Sequence, residues 1–313
     1  MLPAPVEDGR QQPPFGRVTV IGLGLLGSSI AHAVRAHMPT VRVTGYDQDP
    51  GVRDIAVRIG LCDDIADTPG ASVIDADFVV FCVPVGAMGV AAAAIAEDLP
   101  ADAIVSDVGS CKESVALALA EALPNATIIP AHPVAGTEKS GPEAGFATLF
   151  HNRWCIVTPP ESASELAVER VSEFWRQLGA QVETMTPNHH DRVLAVTSHL
   201  PHLIAYTIVG TASDLEEVTR SEVIKYSAGG FRDFTRIAAS DPTMWRDVFL
   251  ANKDAVLDML QRFSEDLSAL QRAIRWGKGD ELFDRFTETR AIRRSVIDEG
   301  QDDSRPDFGR AHD

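Results

Sequence analysis

The chain has 313 residues, of which 45% are hydrophobic and 23% are charged, and its formal net charge at pH 7 is −17. This length predicts about two domains, each able to bury its own core. A surface this acidic repels phosphate backbones and anionic lipids, so we expect neither nucleic acid nor a membrane as a partner.

The cysteines and the first residues favour a cytoplasmic protein. The four cysteines are scattered, with no Cys-x-x-Cys spacing and no Cys/His cluster, which predicts reduced thiols and no metal site. Met1 to Pro14 lacks the basic flank and apolar run of a signal peptide. We therefore expect residues 1–15 to be a disordered leader.

The first half of the chain alternates short apolar strands with helical stretches. Strands are predicted at Arg17–Ile21, Val41–Tyr46, Asp77–Val83, Ala103–Ser106 and Thr127–Ile129. The uncharged segment Phe78–Ala96 approaches a membrane span in length, but Pro84 and two glycines interrupt it, so a buried strand, a turn and an alanine-rich helix are predicted instead. The fold class is therefore α/β, with a Rossmann-like, doubly wound parallel sheet.

Helical periodicity replaces the strand pattern after Pro187. A strand at Trp154–Val157, a helix at about Ser164–Leu178 and a strand at Gln181–Met185 complete the first domain. We place this domain at 16–187, an all-helical substrate and dimerisation domain at 188–297, and a flexible tail at 298–313. One helical face carries apolar residues at alternating steps of four and three, which suit either packing within the domain or a subunit interface: Val256, Leu260, Phe263, Leu267, Leu270 and Ile274.

A glycine-rich turn follows the first strand. Gly22, Gly24 and Gly27 form a Gly-x-Gly-x-x-Gly fingerprint between a strand and a helix that starts by Ser28, the context of a dinucleotide site. The amides around Leu25 and Leu26 are expected to meet the pyrophosphate at the helix N-terminus.

Asp47 ends the second strand, about twenty residues after the fingerprint. A carboxylate there accepts the ribose hydroxyls of NAD and repels the extra phosphate of NADP, so the predicted cofactor is NAD. Val83 and Pro84, at the end of the third long strand, are also predicted to contact the cofactor.

His132 stands where the strand Thr127–Ile129 ends. Ligands of open parallel sheets bind at this edge, and an imidazole there can exchange a proton with a substrate that lies against a nicotinamide. The alternative is a loop histidine satisfied by backbone groups. Ser110 follows another strand and forms a capping-box pattern with Glu113. We expect its hydroxyl both to cap the helix and to reach His132.

The helical half supplies further polar groups. His199 and His202 are three residues apart; without a third ligand a metal is not expected, and hydrogen bonds to substrate or cofactor fit better. Arg232 and Arg236 are four apart on one helix face and suit a dianionic substrate, although salt bridges to nearby acids explain either arginine equally well.

Taken together, these segments resemble the prephenate/arogenate dehydrogenase family, also called cyclohexadienyl dehydrogenases, from about Val18 to Phe249. The motifs that carry the resemblance are Asp-Val-Gly-Ser at 107–110, His-Pro-Val-Ala-Gly-Thr-Glu at 132–138, Ser-His-Leu-Pro-His at 198–202 and the block from Gly229 to Trp245. It implies a helical dimerisation domain, hence a homodimer, and NAD(P)-dependent oxidative decarboxylation of prephenate or arogenate on the route to tyrosine.

The resemblance also assigns roles to residues. It makes His132 the catalytic histidine, Ser110 its support and Arg236 a ligand of a substrate carboxylate. The same pocket is shaped by Arg232, His202, Glu138 and Thr137. Neither a fused chorismate mutase nor a C-terminal regulatory domain fits the chain, so any inhibition by tyrosine is expected to act within the two domains.

Two other functions stay open at this point. One is a different two-domain dehydrogenase of the β-hydroxyacid or 6-phosphogluconate type, in which a lysine of the helical domain is the acid/base. The other is a non-catalytic NAD-binding protein with the same fold, which does not need a histidine, a serine and paired arginines near the nicotinamide.

Overall fold

The structure is a computed structural model that describes residues 12–137, 139–214, 225–226 and 229–298. The chain divides into two compact units. The first holds the chain up to Leu194 together with Ser240–Lys253, and the second holds Ala195–Ala239 and the chain from Asp254 onward. The first unit thus includes residues 188–194 and 240–253, both of which were predicted to belong to the helical domain.

A six-stranded parallel sheet forms the centre of the first unit. Its strands are β1 (Arg17–Ile21), β2 (Arg42–Tyr46), β3 (Asp64–Ile65), β4 (Phe78–Phe81), β5 (Ile104–Asp107) and β6 (Thr127–Ile128). Their order is β3-β2-β1-β4-β5-β6, which is the doubly wound arrangement. The predicted fold class is therefore confirmed, and the order reverses between β1 and β4, where such sheets bind dinucleotides.

Helices cover both faces of this sheet. The described helices of this unit are α1 (Leu25–His37), α2 (Pro50–Arg58), α3 (Pro69–Val73), α4 (Met88–Ala93), α5 (Glu113–Ala122), α6 (Glu165–Gln177), α7 (Pro187–Leu194) and, from later in the chain, α10 (Pro242–Ala251). Strand β4 shows why its sequence is apolar throughout. Phe78 and Val80 pack into one core cluster and Val79 and Phe81 into another, so no face of the strand meets water.

A second, three-stranded sheet changes the interpretation of His132. Strand β7 (Ala131–Pro133) pairs antiparallel with β8 (Trp154–Val157), which pairs parallel with β9 (Gln181–Thr184). His132 lies in β7, opposite Ile156. His132 therefore lies in a strand and not in a loop, because the chain leaves the main sheet at Ile128 and enters β7 at Ala131.

The second unit is helical in its described part. It contains a π-helical turn at Ala195–His199, α8 (Leu200–Ser213), α9 (Gly229–Thr235), a 3₁₀ turn at Arg236–Ala239, and α12 (Gly279–Asp298). Helix α11 (Lys253–Arg275) carries the predicted apolar seam. Val256 is buried, whereas Leu267 and Ile274 are 54% and 67% exposed, so the chain itself covers only part of the seam.

One helical stretch, Pro187–Ser213, is long and apolar enough to cross a membrane by length and composition. The segment Phe78–Ala96, which raised the same question in the sequence, instead forms β4, a 3₁₀ turn and α4, as predicted.

Candidate active site

The glycine-rich loop joins β1 to α1 at the switch point of the sheet. Gly22 has φ +96°, and a Cβ there would lie 2.6 Å from the carbonyl oxygen of Cys82. A Cβ at Gly27 would lie 1.9 Å from the carbonyl oxygen of Gly22. Both positions therefore need glycine for the fold itself. A Cβ at Gly24 would meet nothing within 4 Å, so the loop leaves open space where the fingerprint expects a pyrophosphate.

The other predicted cofactor residues border this loop. Leu25 and Leu26 form the first turn of α1, with Gly24 as its N-cap. Val83 lies in the loop after β4 and packs against the glycine-rich loop, since a Cβ at Gly22 would lie 3.0 Å from its Cγ1. Pro84 is the next residue of the same loop.

Asp47 follows β2 and is tied to the glycine-rich loop. Its Oδ2 accepts a hydrogen bond from the backbone N–H of Leu23 at 2.8 Å, and its Oδ1 accepts one from the N–H of Asp49 at 3.0 Å. The carboxylate therefore positions the loop in addition to any contact with a ribose.

A chain of hydrogen bonds connects His132 to α7. His132 is 8% exposed, and its Nδ1 lies 2.8 Å from Nε2 of His190. Nδ1 of His190 in turn lies 2.8 Å from Oδ1 of Asp191. Neither His190 nor Asp191 is among the residues predicted for the site.

The carboxylate of Asp191 caps α5. Its Oδ1 accepts the N–H of Lys112 at 2.7 Å, and its Oδ2 accepts the N–H of Glu113 at 3.0 Å. A carboxylate at a helix N-terminus satisfies unpaired N–H groups and complements the helix dipole. The predicted capping by Ser110 is wrong, since the N-cap residue of α5 is Lys112, without a side-chain cap of its own. Ser110 lies half-buried in the loop between β5 and α5.

A buried ion pair lies under the same loop. The side chains of Lys112 and Asp107 are both fully buried and hydrogen-bonded to each other. Nζ of Lys112 also donates to the carbonyl oxygen of Ala131 at 2.8 Å, next to His132 in β7. Burial raises the pKa of the Asp107 carboxyl, and the Lys112 ammonium opposes this rise. The lysine thus joins the end of β5 to the strand of the histidine.

Burial and hydrogen bonding set the charges of the His190–Asp191 pair. Burial lowers the pKa of His190 below its ordinary value, although Asp191 opposes the shift. Burial alone would raise the pKa of Asp191, but the hydrogen bonds from His190 and from two backbone N–H groups outweigh it and lower that pKa. At neutral pH the pair is therefore an uncharged imidazole beside a carboxylate.

Four of the predicted substrate residues, His199, His202, Arg232 and Arg236, lie in the second unit. His199 is buried, and Nδ1 of His202 lies 2.9 Å from the carbonyl oxygen of Ser198. Burial lowers the pKa of His202, the hydrogen bond to the carbonyl oxygen of Ser198 opposes this shift, and the nearby positive charge of Arg236 adds to it. Arg236 begins the 3₁₀ turn, and Arg232 lies one turn earlier in α9. Among the described residues no cluster of three or more His, Cys, Asp or Glu side chains suits a metal ion.

Two predicted residues lie in the loop after β7. Thr137 is exposed and accepts a hydrogen bond from the N–H of Lys139 at 3.2 Å. Glu138 lies outside the described residues.

Two family models match the chain. The model described as the nucleotide-binding domain of prephenate dehydrogenase matches residues 30–184, and the one described as its dimerization domain matches residues 186–288. The chain belongs to the prephenate dehydrogenase family. The resemblance seen in the sequence is thereby confirmed.

This chain is similar to individual members of the family over most of its length and most of theirs. A cyclohexadienyl dehydrogenase of Zymomonas mobilis is 45% identical over 282 residues, which are 90% of this chain and 96% of that protein. A prephenate dehydrogenase of Bacillus subtilis is 33% identical over 88% of this chain and 75% of its own. The crystal structure of Aquifex aeolicus prephenate dehydrogenase with hydroxyphenyl propionate and NAD+ superposes with a TM-score of 0.84 at 35% identity, over 90% of this chain and 98% of that one.

The geometry of Asp47 leads to a prediction about cofactor choice. Replacing Asp47 by Ser is expected to narrow the preference for NAD over NADP, because the carboxylate that repels the extra phosphate is gone. Asp47→Asn keeps an oxygen for the N–H of Leu23 and removes only the charge. Both variants should therefore shift the ratio of kcat/KM for the two cofactors, and Asp47→Asn should do so with the smaller loss of NAD affinity. An unchanged ratio in both variants would show that Asp47 only positions the loop.

Proposed function

We propose that this protein catalyses the NAD-dependent oxidative decarboxylation of prephenate to 4-hydroxyphenylpyruvate, a step of tyrosine biosynthesis in the cytoplasm. The observation that carries the proposal is a nearly buried histidine, His132, hydrogen-bonded to His190 in the nucleotide-binding unit of a prephenate dehydrogenase family member.

The cofactor of the proposed reaction is NAD. The open space at Gly24, the first turn of α1 and the carboxylate of Asp47 suit a pyrophosphate and a ribose diol. Bound NAD would supply the hydride acceptor for the substrate carbon that carries the hydroxyl group.

His132 is proposed as the base. Its Nε2, the ring nitrogen opposite the one that meets His190, takes the proton of the substrate's ring hydroxyl as that carbon is oxidised to a ketone. The ketone is conjugated to the carbon that bears the ring carboxylate, so carbon dioxide leaves, its bonding electron pair enters the ring, and the ring becomes aromatic. The phenolic oxygen then recovers the proton. Ser110 is proposed to support His132, and aromatisation supplies the driving force without a metal.

Arg236 is proposed to bind a carboxylate of the substrate. A guanidinium forms two parallel hydrogen bonds with a carboxylate, and this local positive charge offsets a chain whose net charge is −17. Arg232, His199, His202, Thr137 and Glu138 are proposed to complete the substrate site, and tyrosine, the end product, is proposed as an inhibitor.

Arogenate is the second candidate substrate. The relative with 45% identity carries the name cyclohexadienyl dehydrogenase, which favours an enzyme that accepts both compounds. The chemistry at the ring is the same, and the product from arogenate is tyrosine itself. Mixing the purified protein and NAD with each substrate, and following NADH absorbance, tests both proposals. No NADH with either substrate would instead favour another dehydrogenase of this fold or a non-catalytic NAD-binding protein.

The assembly is proposed to be a homodimer through the helical unit. This unit matches a dimerization domain and leaves large apolar side chains exposed on α11 and α12, among them Leu267, Ile274, Phe283, Phe286 and Ile292. Ile208 and Val209 of α8 are also exposed. We therefore attribute the apolar character of Pro187–Ser213 to packing in a dimer, and we propose no membrane and no nucleic acid as partners.

Removing the proposed base leads to the first prediction about activity. His132→Asn is expected to lower kcat by roughly 10²–10⁴ with little change in KM for prephenate, because proton transfer is lost while substrate contacts remain. His151→Asn, which changes an exposed histidine, is the matched control and should leave both constants unchanged. Wild-type kinetics in His132→Asn would remove this histidine from the mechanism.

Arg236→Gln is expected mainly to raise KM. Loss of a charge-assisted hydrogen bond costs roughly 1.5–3 kcal/mol, which corresponds to an increase of about 10- to 150-fold. Arg262→Gln, in an exposed arginine of α11 that lies 3.6 Å from Asp258, should leave KM unchanged. Equal KM values for the two variants would contradict a role of Arg236 in substrate binding.

The dimer can be tested by charging its proposed surface. Leu267→Glu combined with Ile274→Glu places two carboxylates on the exposed part of the α11 seam, and the sedimentation coefficient is expected to fall from that of a dimer towards that of a monomer. Leu166→Glu, an exposed apolar position of the first unit, should leave the dimer intact. A double variant that sediments like wild type would exclude this part of α11 from the interface.

A further inference from the structure

We propose that His190 and Asp191 are positioning residues that fix His132 in one tautomer, with the proton on Nδ1 and the lone pair on Nε2. The inference deepens the proposed function, since it concerns how the proposed base is made ready to accept a proton. It is carried by the hydrogen-bonded chain from His132 through His190 to Asp191, all within the first unit.

The first step concerns the charge of Asp191. One oxygen accepts the N–H of Lys112 and the other accepts the N–H of Glu113. Backbone N–H groups can only donate, so both carboxylate oxygens are acceptors. These hydrogen bonds lower the pKa of Asp191, so the group is a carboxylate and carries no proton to donate. The same Oδ1 lies 2.8 Å from Nδ1 of His190, and that nitrogen is therefore the donor.

The second step concerns His190. Its side chain is fully buried, and the charged groups that face it are Asp191, Lys112 and Asp107. Burial lowers the pKa of His190, which keeps the ring neutral. A neutral imidazole carries one proton, and here the contact with Asp191 places it on Nδ1. Nε2 of His190 is then an acceptor.

The third step reaches the proposed base. Nε2 of His190 lies 2.8 Å from Nδ1 of His132, and because the former accepts, the latter donates. A neutral His132 therefore has its proton on Nδ1 and its lone pair on Nε2. When His132 takes up the substrate proton, the imidazolium keeps its Nδ1–H on His190, whose other nitrogen is held by a carboxylate, so the new charge is stabilised along the chain.

Several elements fix the position of the hydrogen-bonded side chains. Asp191 is anchored by two N–H groups of the α5 N-terminus, and its carbonyl oxygen accepts a hydrogen bond from Nδ2 of Asn252 at 2.8 Å. This support leaves the His190 ring one orientation in which both of its nitrogens are satisfied. A role limited to filling space would not require that orientation.

Two substitutions at one residue separate the two contacts of His190. The amide of Asn reaches the position of Nδ1 only, so His190→Asn keeps the contact with Asp191 and loses the contact with His132. The amide oxygen of Gln reaches the position of Nε2, so His190→Gln keeps an acceptor for His132. We expect His190→Asn to lower kcat about 10²-fold with little change in KM, and His190→Gln to recover most of that loss. His189→Asn, the same change at the preceding exposed residue of α7, should behave as wild type.

The decisive measurement is the tautomer itself, which needs no substrate. In the full-length protein with 15N-labelled histidine, the ring signals of His132 are identified by their disappearance in His132→Asn. Wild-type His132 should show a protonated Nδ1 and an unprotonated Nε2. His190→Asn should shift His132 towards the tautomer with a protonated Nε2. This spectrum, recorded together with a melting curve, also decides the case if a His190 variant folds poorly, because the wild-type tautomer alone tests the assignment.

The outcomes separate this inference from the proposed function. If His132→Asn is inactive but wild-type His132 carries its proton on Nε2, the positioning role is overturned and the proposed function stands. Wild-type kcat in a folded His190→Asn variant overturns it equally. If His132→Asn is fully active, the proposed base is wrong, and the spectrum still tells whether the hydrogen-bonded chain fixes the tautomer.

Discussion

The carboxylate of Asp191 is the interaction on which the candidate site depends. It binds the N-terminus of α5 through two backbone N–H groups and binds His190 through one oxygen. A helix N-terminus left without such partners exposes unpaired donors, and a carboxylate left without them loses the hydrogen bonds that keep it charged. The side chain of Asp191 therefore accepts hydrogen bonds from the unpaired N–H groups at the start of α5 and also orients the two histidines.

The buried Lys112–Asp107 pair extends this arrangement to the strand of His132. A lysine is rarely buried without a partner, and here Nζ is bound by Asp107 and by the carbonyl oxygen of Ala131. Losing either charged partner would leave the other unpaired in an apolar interior, which typically costs about 3–5 kcal/mol. Polar contacts thus hold the main sheet, the small sheet and α7 together around His132, where an acid/base site needs fixed distances.

The sequence predicted the parts of this molecule that depend on local patterns. The apolar run of β4 forms a strand buried on both faces, and Gly22 and Gly27 lie where a Cβ would collide with backbone atoms. The carboxylate of Asp47 lies beside the glycine-rich loop, and its contact with a ribose stays a prediction. The family was predicted as well, because several specific motifs together resemble it, and the family models confirm it. The bounds of the strands differ by one or two residues, as expected where strands end.

The contacts that the sequence did not predict are long-range. His190 and Asp191 lie in the middle of the short helix α7, within a polar stretch of sequence, and their partners lie 58 and 79 residues earlier in the chain. The local pattern predicts Ser110 as the cap of α5, but the carboxylate of Asp191, from another helix, takes that place. A signal was present nonetheless, since an adjacent His-Asp pair precedes an apolar helical segment with few other charges.

The return of residues 240–253 to the first unit has a consequence for how the chain is made. Helix α10 and Asn252 complete the packing around the loop after β5, where Sγ of Cys111 lies 3.6 Å from the carbonyl oxygen of Val248. During synthesis on the ribosome, the nucleotide-binding unit therefore lacks one of its own helices until residue 253 has emerged. A gene fragment cut at the apparent end of the Rossmann-like fold would therefore encode a nucleotide-binding unit without α10 and without Asn252, which donates a hydrogen bond to Asp191.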